Sequence, residues 1–251
     1  MSRLAWALFN TLQLLFTLLW TAGWICLALL VRLLSGGRHW PLRMASRCWA
    51  PGLLRGAGAR LEVHGMERID WSQPHVFVAN HQSMIDICAL FRALPVPVRF
   101  VLKQELAKVP FVGWYARAMG MVFIERGSAR SSARRLHAAV DLLRDGASVC
   151  AFPEGTRGRG RVGPFKGGAF QLAIEAGVRV VPVAIEGSGG VLPAAGFRVR
   201  PGRIVVRLGE PLATQGLVPH ERNVLAGQAR DAVIALLEGR PLSSSAMRAA
   251  A

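Results

Sequence analysis

His81 and Asp86 stand five residues apart in the run Val78-Ala-Asn-His-Gln-Ser-Met-Ile-Asp86. An imidazole and a carboxylate are the parts of a general base and of the group that fixes its tautomer. The run lies where a strand-like stretch, residues 75–79, passes into a helix-like one, residues 84–91. With His81 capping the strand and Asp86 about one turn into the helix, the carboxylate reaches Nδ1. Nε2 is then left to take a proton. A structural histidine beside a helix N-terminal aspartate has the same spacing, so the pair alone does not decide.

A second cluster, Phe152-Pro-Glu-Gly-Thr-Arg157, follows another strand-like stretch, where α/β folds place their sites. Gly155 permits close backbone approach, and Thr156 and Arg157 are donors for phosphate. Glu154 is suited to positioning a hydroxyl or pairing with an arginine. Lys166 stands near the start of the next helix, whose N-terminus itself favours an anion. Arg126 and Lys103 also end strand-like stretches. Convergence of Lys103, Arg126, Arg157 and Lys166 on one phosphate is the expectation. A solvated turn with a structural salt bridge is the alternative for the Phe152–Arg157 cluster.

No nucleophile accompanies the histidine. The serine-hydrolase elbow needs glycine two residues before the serine, and Glu186 occupies that place before Ser188. Cys26, Cys48, Cys88 and Cys150 share no C-x-x-C spacing, lie in apolar surroundings and are expected to be reduced and buried. The simplest chemistry is direct: His81 activates a substrate hydroxyl, which attacks an already activated acyl donor such as a thioester. No metal and no cofactor are called for.

The surrounding elements set where this chemistry occurs. The 251 residues suffice for one α/β domain with an appendage. Seven short apolar strands are expected at 61–63, 75–79, 99–102, 121–124, 148–152, 180–185 and 203–207, with helices between them, including 129–144 and 221–238. In the 129–144 helix the stripe is Ala133, Leu136, Val140 and Leu143. That alternation predicts a mixed, largely parallel sheet with helices on both faces. Three parts follow: a membrane-association segment over 1–58, a catalytic domain over 59–240, and a Ser/Ala-rich tail over 241–251 expected to be disordered.

Residues 4–34 are almost continuously apolar, broken by Asn10, Thr11, Gln13, Thr17, Thr21 and Gly23. As a helix the stretch is about 45 Å long, against a hydrocarbon core of about 30 Å. It therefore tilts across the bilayer, or bends near Gly23 and returns through one leaflet. Arg3 alone precedes it, whereas Arg32, Arg38, Arg43, Arg47, Arg55 and Arg60 follow, which places the catalytic domain on the cytoplasmic face of the inner membrane. Residues 40–54 read as an amphipathic helix that either dips Trp40, Leu42, Met44 and Trp49 into the acyl boundary or packs on the domain. The net charge of +16 seeks anions. Six of the seven tryptophans fall at or before Trp71, around the apolar segment, which is a membrane-interface pattern and disfavours nucleic acid.

Four blocks in order resemble the 1-acylglycerol-3-phosphate acyltransferase family. Asn80–Asp86 is similar to its H-x4-D motif, Phe123-Ile-Glu-Arg126 to its second motif (with Glu125 where many members carry Asp), Phe152–Arg157 to its third, and Val181-Pro-Val-Ala-Ile185 to its fourth. The run from Lys103 to Trp114 also resembles it, and the likeness spans roughly residues 59–210. The resemblance implies acyl transfer from acyl-CoA or acyl-carrier protein to the sn-2 hydroxyl of lysophosphatidic acid. It implies His81 as base, Asp86 as its orienting group, and Arg126, Glu154, Gly155, Thr156 and Arg157, with Lys103, as glycerol-phosphate contacts. Another lyso-lipid acceptor, such as a lyso-ornithine lipid, fits the same motifs. A non-catalytic, membrane-anchored anion-binding protein is the reading from a different class.

Overall fold

The structure, a computed structural model, describes residues 3–124, 129–158 and 160–239, with the side chains of 129–136 left aside. Three helical segments come first: α1 (Arg3–Ser35), α2 (His39–Met44) and α3 (Ala50–Gly56). A π-helical turn, Ala45–Trp49, joins α2 to α3 without a break. Its cause is Pro51 at the start of α3, which lacks an N–H and crowds the carbonyl four residues back, so the helix widens there. α1 runs unbroken through Gly23 and does not bend as the alternative for that segment required.

Seven strands follow: β1 (Ala59–His64), β2 (His75–Ala79), β3 (Val98–Lys103), β4 (Val122–Ile124), β5 (Ser148–Ala151), β6 (Arg179–Glu186) and β7 (Gly202–Leu208). They form one sheet in the order β1-β7-β6-β2-β5-β3-β4. Only β6 and β7 pair antiparallel; the other neighbours are parallel. The connecting helices are α4 (Ile85–Ala93), α5 (Val112–Met119), α6 (Ala129–Arg144), α7 (Gly168–Ala176), α8 (Ser188–Val191) and α9 (Arg222–Leu237).

Helices cover both faces, so the central strands are buried throughout, as in β2. The period of two divides them: Phe77 and Ala79 enter one core with α4, and Val76 and Val78 enter another with α7 and α9. Val140 and Leu143 of the expected 129–144 stripe are buried, while the Ala133 and Leu136 side chains lie outside the described set. The 241–251 tail also lies outside the described residues.

α1 is 33 residues long and apolar enough to cross a membrane. Asn10, Gln13, Thr17 and Thr21 fall on one stripe and face the protein, whereas Thr11 is exposed and bonds Ala7 O within the helix. Asn10 Oδ1 accepts from the Val199 N–H at 2.7 Å, Gln13 Nε2 donates to Gly56 O at 2.5 Å, and Thr21 Oγ1 accepts from Trp49 Nε1 at 3.1 Å. Its leucines point outward, with Leu4, Leu19 and Leu33 among the most exposed side chains. The expectation that Trp40, Leu42, Met44 and Trp49 dip together into lipid is corrected. Trp40 is 62% exposed, but Leu42 is buried and Trp49 packs on the core, because α2 packs against α1 while the π turn and α3 pack against α4. Cys26 is exposed on α1, also against expectation, whereas Cys88 and Cys150 are buried.

Candidate active site

β2 ends at Ala79, and the next five residues carry the chain into α4. Asn80 makes the turn rigid: its Nδ2 donates to Ile185 O at 2.9 Å and its Oδ1 accepts the Ile185 N–H at 2.7 Å, so it continues the β2–β6 pairing with its side chain. Asp86 sits in the first turn of α4, where a negative charge is favoured. Its Oδ2 accepts the N–H groups of Gln82 at 2.7 Å and Ser83 at 2.8 Å. The same oxygen lies 2.8 Å from His81 Nδ1. An ionised carboxylate has no proton to give, so Nδ1 carries the hydrogen and Nε2 is the free base. The Asp86 side chain is fully buried and that of His81 is 14% exposed. The acid is thus dry and the imidazole is within reach of a substrate.

The imidazole stacks on Phe152, with centroids 4.0 Å apart and planes at 19°. Phe152 begins the second cluster, and the backbone there is tied to His81 at two points. The His81 N–H donates to Glu154 Oε1 at 2.8 Å, and the Gly158 N–H donates to His81 O at 2.7 Å. Gly155, Thr156 and Arg157 therefore form a short arch beside the histidine. The arch needs glycine at 155, whose φ is +71°. Thr156 and Arg157 are exposed, with no hydrogen bond or ion pair to another described residue.

Glu154 has a different setting from the substrate-facing one expected of it. It is buried, and its second oxygen accepts the Gly163 N–H at 2.8 Å. Both oxygens are thus spent on backbone, one on the histidine and one on the following loop. Arg230 of α9 holds that loop from outside, donating to Gly163 O and Val162 O at 3.0 Å each. Nothing in the spacing of the sequence marks Arg230, which lies 67 residues beyond Gly163. Lys166 is brought back by its N–H bond to Pro153 O at 3.0 Å, with its side chain exposed.

Strand order brings Lys103 to the same end of the sheet. β2, β5, β3 and β4 are consecutive parallel neighbours, so their carboxyl ends lie along one sheet edge. His81 follows β2, the arch follows β5, and Lys103 ends β3 with its side chain exposed. Glu125 and Arg126 lie outside the described residues, two positions that follow directly on β4.

An apolar cavity of about 510 Å³ opens between α1 and the domain. Thr17 and Ile25 of α1, Ile85 and Phe91 of α4, Phe100 of β3 and Tyr115 of α5 are among its walls. It approaches the histidine through a line of rings, Phe100 to Phe152 at 6.1 Å and Phe152 to His81. Burial raises the Cys88 thiol on its wall to about 12, so that cysteine is a packing group rather than a nucleophile.

Comparisons with known proteins identify the family and the fold. The acyltransferase family model matches residues 60–186. A chloroplastic 1-acyl-sn-glycerol-3-phosphate acyltransferase of Brassica napus is 40% identical over 136 residues, 53% of this chain and 39% of that protein. The human 1-acyl-sn-glycerol-3-phosphate acyltransferase alpha is 35% identical over 181 residues, 70% of this chain and 63% of that one. The chain thus spans well under half the length of its chloroplastic relative. The crystal structure of the 1-acyl-sn-glycerophosphate acyltransferase of Thermotoga maritima superposes with a TM-score of 0.78 at 26% identity, over 97% of this chain and all of that one. The match runs from the first strand, across the histidine turn and the glutamate arch, to the end of β6, and this chain belongs to the acyltransferase family.

Proposed function

We propose that the protein transfers a fatty acyl group from a thioester, acyl-CoA or acyl-carrier protein, to the sn-2 hydroxyl of 1-acyl-sn-glycerol 3-phosphate, giving phosphatidic acid. The observation that carries this reading is the buried Asp86 carboxylate, held by two backbone N–H groups and bonded to His81 Nδ1, which leaves Nε2 as a base. His81 Nε2 takes the hydroxyl proton as the oxygen attacks the thioester carbonyl. The carbon–oxygen ester bond forms, the carbon–sulfur bond breaks, and the imidazolium returns the proton to the departing thiolate. No covalent enzyme intermediate is needed, because a thioester is already activated.

Arg157, Thr156 and the Gly155 backbone bind the acceptor's phosphate, with Lys103 and Lys166 adding charge, and Arg126 is a further phosphate contact by its place in the second motif. Glu154 acts through His81 and the loop and does not touch the lipid. The apolar cavity takes an acyl chain, and its size lies within the usual range for ligand sites.

The reaction takes place at the cytoplasmic face of the inner membrane, with α1 in one leaflet. Domain contacts along α1 run from Asn10 to the cavity residue Ala28, about 27 Å of helix, close to the hydrocarbon thickness of about 30 Å. An upright span would draw the polar domain into that layer. A helix lying along the domain, with its leucines outward, avoids that cost.

The test is turnover by the purified protein with 1-acyl-sn-glycerol 3-phosphate, lysophosphatidylcholine and lyso-ornithine lipid, each with both donors. Turnover on the first acceptor, abolished by His81→Ala, supports the reading. Turnover on another acceptor alone keeps the chemistry and overturns the substrate. Equal rates for wild type and His81→Ala overturn both.

A further inference from the structure

A second cavity, of about 500 Å³, lies at the opposite end of the sheet from His81. Arg32 enters it from the last turn of α1, Arg38 and His39 from the turn into α2, and Arg99 from the start of β3. Asp145, just before β5, is the single acidic residue in its wall. Three guanidinium groups and one carboxylate thus share a space large enough for a phosphate.

Two of the arginines are held in place through one nitrogen each. Arg38 Nε donates to Ala118 O at 3.0 Å and Arg99 Nε donates to Met119 O at 3.2 Å, both in the last turn of α5. Those bonds leave the Nη groups of the two forks for another acceptor. Among the described residues, none of the three arginines forms an ion pair with a carboxylate. Arg99 is half-buried, and burial together with the nearby Arg38 charge lowers its basicity. Two like charges fixed side by side, with no carboxylate partner among the described residues, form a site that an anion completes.

The rim favours one source of anion. Leu30, Leu33 and Leu34 of α1 and Trp40 of α2 are exposed immediately beside Arg32 and Arg38. A lipid whose chains cover those leucines brings its phosphate to the arginines at the end of the apolar stretch.

We infer that this cavity is a phosphate site, separate from the reaction, that binds the headgroup of an anionic membrane lipid and anchors the end of α1. No residue of the His81–Asp86 turn or the Phe152–Arg157 arch lines it. The inference rests on the membrane placement proposed above but not on the acceptor or the chemistry, so the two stand or fall in different assays.

The experiment measures binding of the full-length protein to phosphatidylcholine vesicles with and without phosphatidylglycerol, alongside calorimetric titration of inorganic phosphate in neutral detergent. Phosphatidylglycerol should tighten wild-type binding, and Arg38→Gln/Arg99→Gln should lose about 30-fold of that gain, at about fivefold per basic residue. Arg32→Gln, which disturbs no hydrogen bond among the described residues, should lose about fivefold and guards against misfolding of the double variant. A charge-matched control, Arg60→Gln/Arg179→Gln, should stay within about twofold. Detergent turnover of all variants should match wild type. Phosphate binding lost in the double variant extends the site to soluble anions and supports it equally. Equal losses in both pairs reduce the effect to diffuse charge and overturn the site. So does reduced detergent turnover, or a double variant that binds both lipid and phosphate like wild type.

Discussion

Glu154→Gln separates a residue that positions the base from one that holds the substrate. Its two oxygens accept the His81 and Gly163 N–H groups at 2.8 Å each. Glutamine offers one carbonyl oxygen and one NH2, so in either orientation one backbone N–H faces another donor. A hydrogen bond to a charged group is worth about 1.5–3 kcal/mol, and a buried N–H without a partner costs about as much. The two figures describe the same loss, so the expected drop in stability is about 2 kcal/mol. The amide turns its oxygen to whichever N–H can yield less. His81 is fixed by Asn80 on one side and Asp86 on the other, so it keeps the oxygen, and the loop at Gly163 gives way. Relaxation of that loop slackens the arch, and a displacement approaching 1 Å costs about 100-fold in rate. We therefore expect kcat to fall by about 30- to 100-fold with the acceptor KM within about twofold. Steady-state kinetics on the folded variant, with a thermal melt as companion, reads both numbers. A KM raised about tenfold at unchanged kcat would refute the argument, because that is the mark of a lost substrate contact. Full activity would refute it too, since the glutamate bridge would then position nothing.

Two further perturbations follow from the same geometry. Asp86→Asn should keep its oxygen at the Oδ2 place, because the Gln82 and Ser83 N–H groups demand an acceptor there, so His81 keeps its tautomer. What is lost is the charge facing the imidazolium, about 3 kcal/mol of the ~6 kcal/mol Coulomb limit at an effective dielectric near 20. The expected fall in kcat is about 150-fold, and a loss equal to that of His81→Ala would contradict the retained tautomer. His75 is buried, its Nδ1 finds no partner among the described residues, and burial lowers its pKa from 6.5. The unfolded chain therefore binds the proton first as pH falls. The contribution of neutral His75 is complete above about 6.5 and is lost as pH drops toward the folded-state pKa. Urea midpoints of wild type and His75→Gln should run parallel above that point and converge or cross below it; parallel curves throughout would refute the linkage.

All seven strands were legible in the sequence, to within about two residues, because each is a short apolar run closed by polar or glycine-rich residues. The His81–Asp86 contact was legible for a related reason: strand, tight turn and first helical turn are local, and five residues fix the distance. Glu154 was not. Its type suggested a ligand, and only the fold shows that its partners lie 73 residues before it and nine after it. Arg230 was invisible for the same cause. A side chain that serves distant backbone has no spacing of its own to betray it. Cys26 is exposed despite its apolar neighbours because on α1 those neighbours face outward.

The polar residues of α1 carry information about its surroundings. Asn10, Gln13, Thr17 and Thr21 interrupt an apolar run, and as interruptions they merely weaken it. Taken at helical spacing they are a stripe, three or four residues apart on one face. An ordinary surface helix turns such a stripe to water and its leucines to the core. Here Asn10, Gln13 and Thr21 bond Val199, Gly56 and Trp49, while Leu4, Leu8, Leu12, Leu15 and Leu19 point away. The pattern is inverted, and inversion is stable only if the outer medium is as apolar as a core. The same stripe fixes the helix against the domain that carries His81. The surroundings of α1 and the reach of the base are therefore one constraint: whatever lipid layer receives the leucines also meets the cavity that α1 roofs, and that cavity leads through Phe100 and Phe152 to the imidazole.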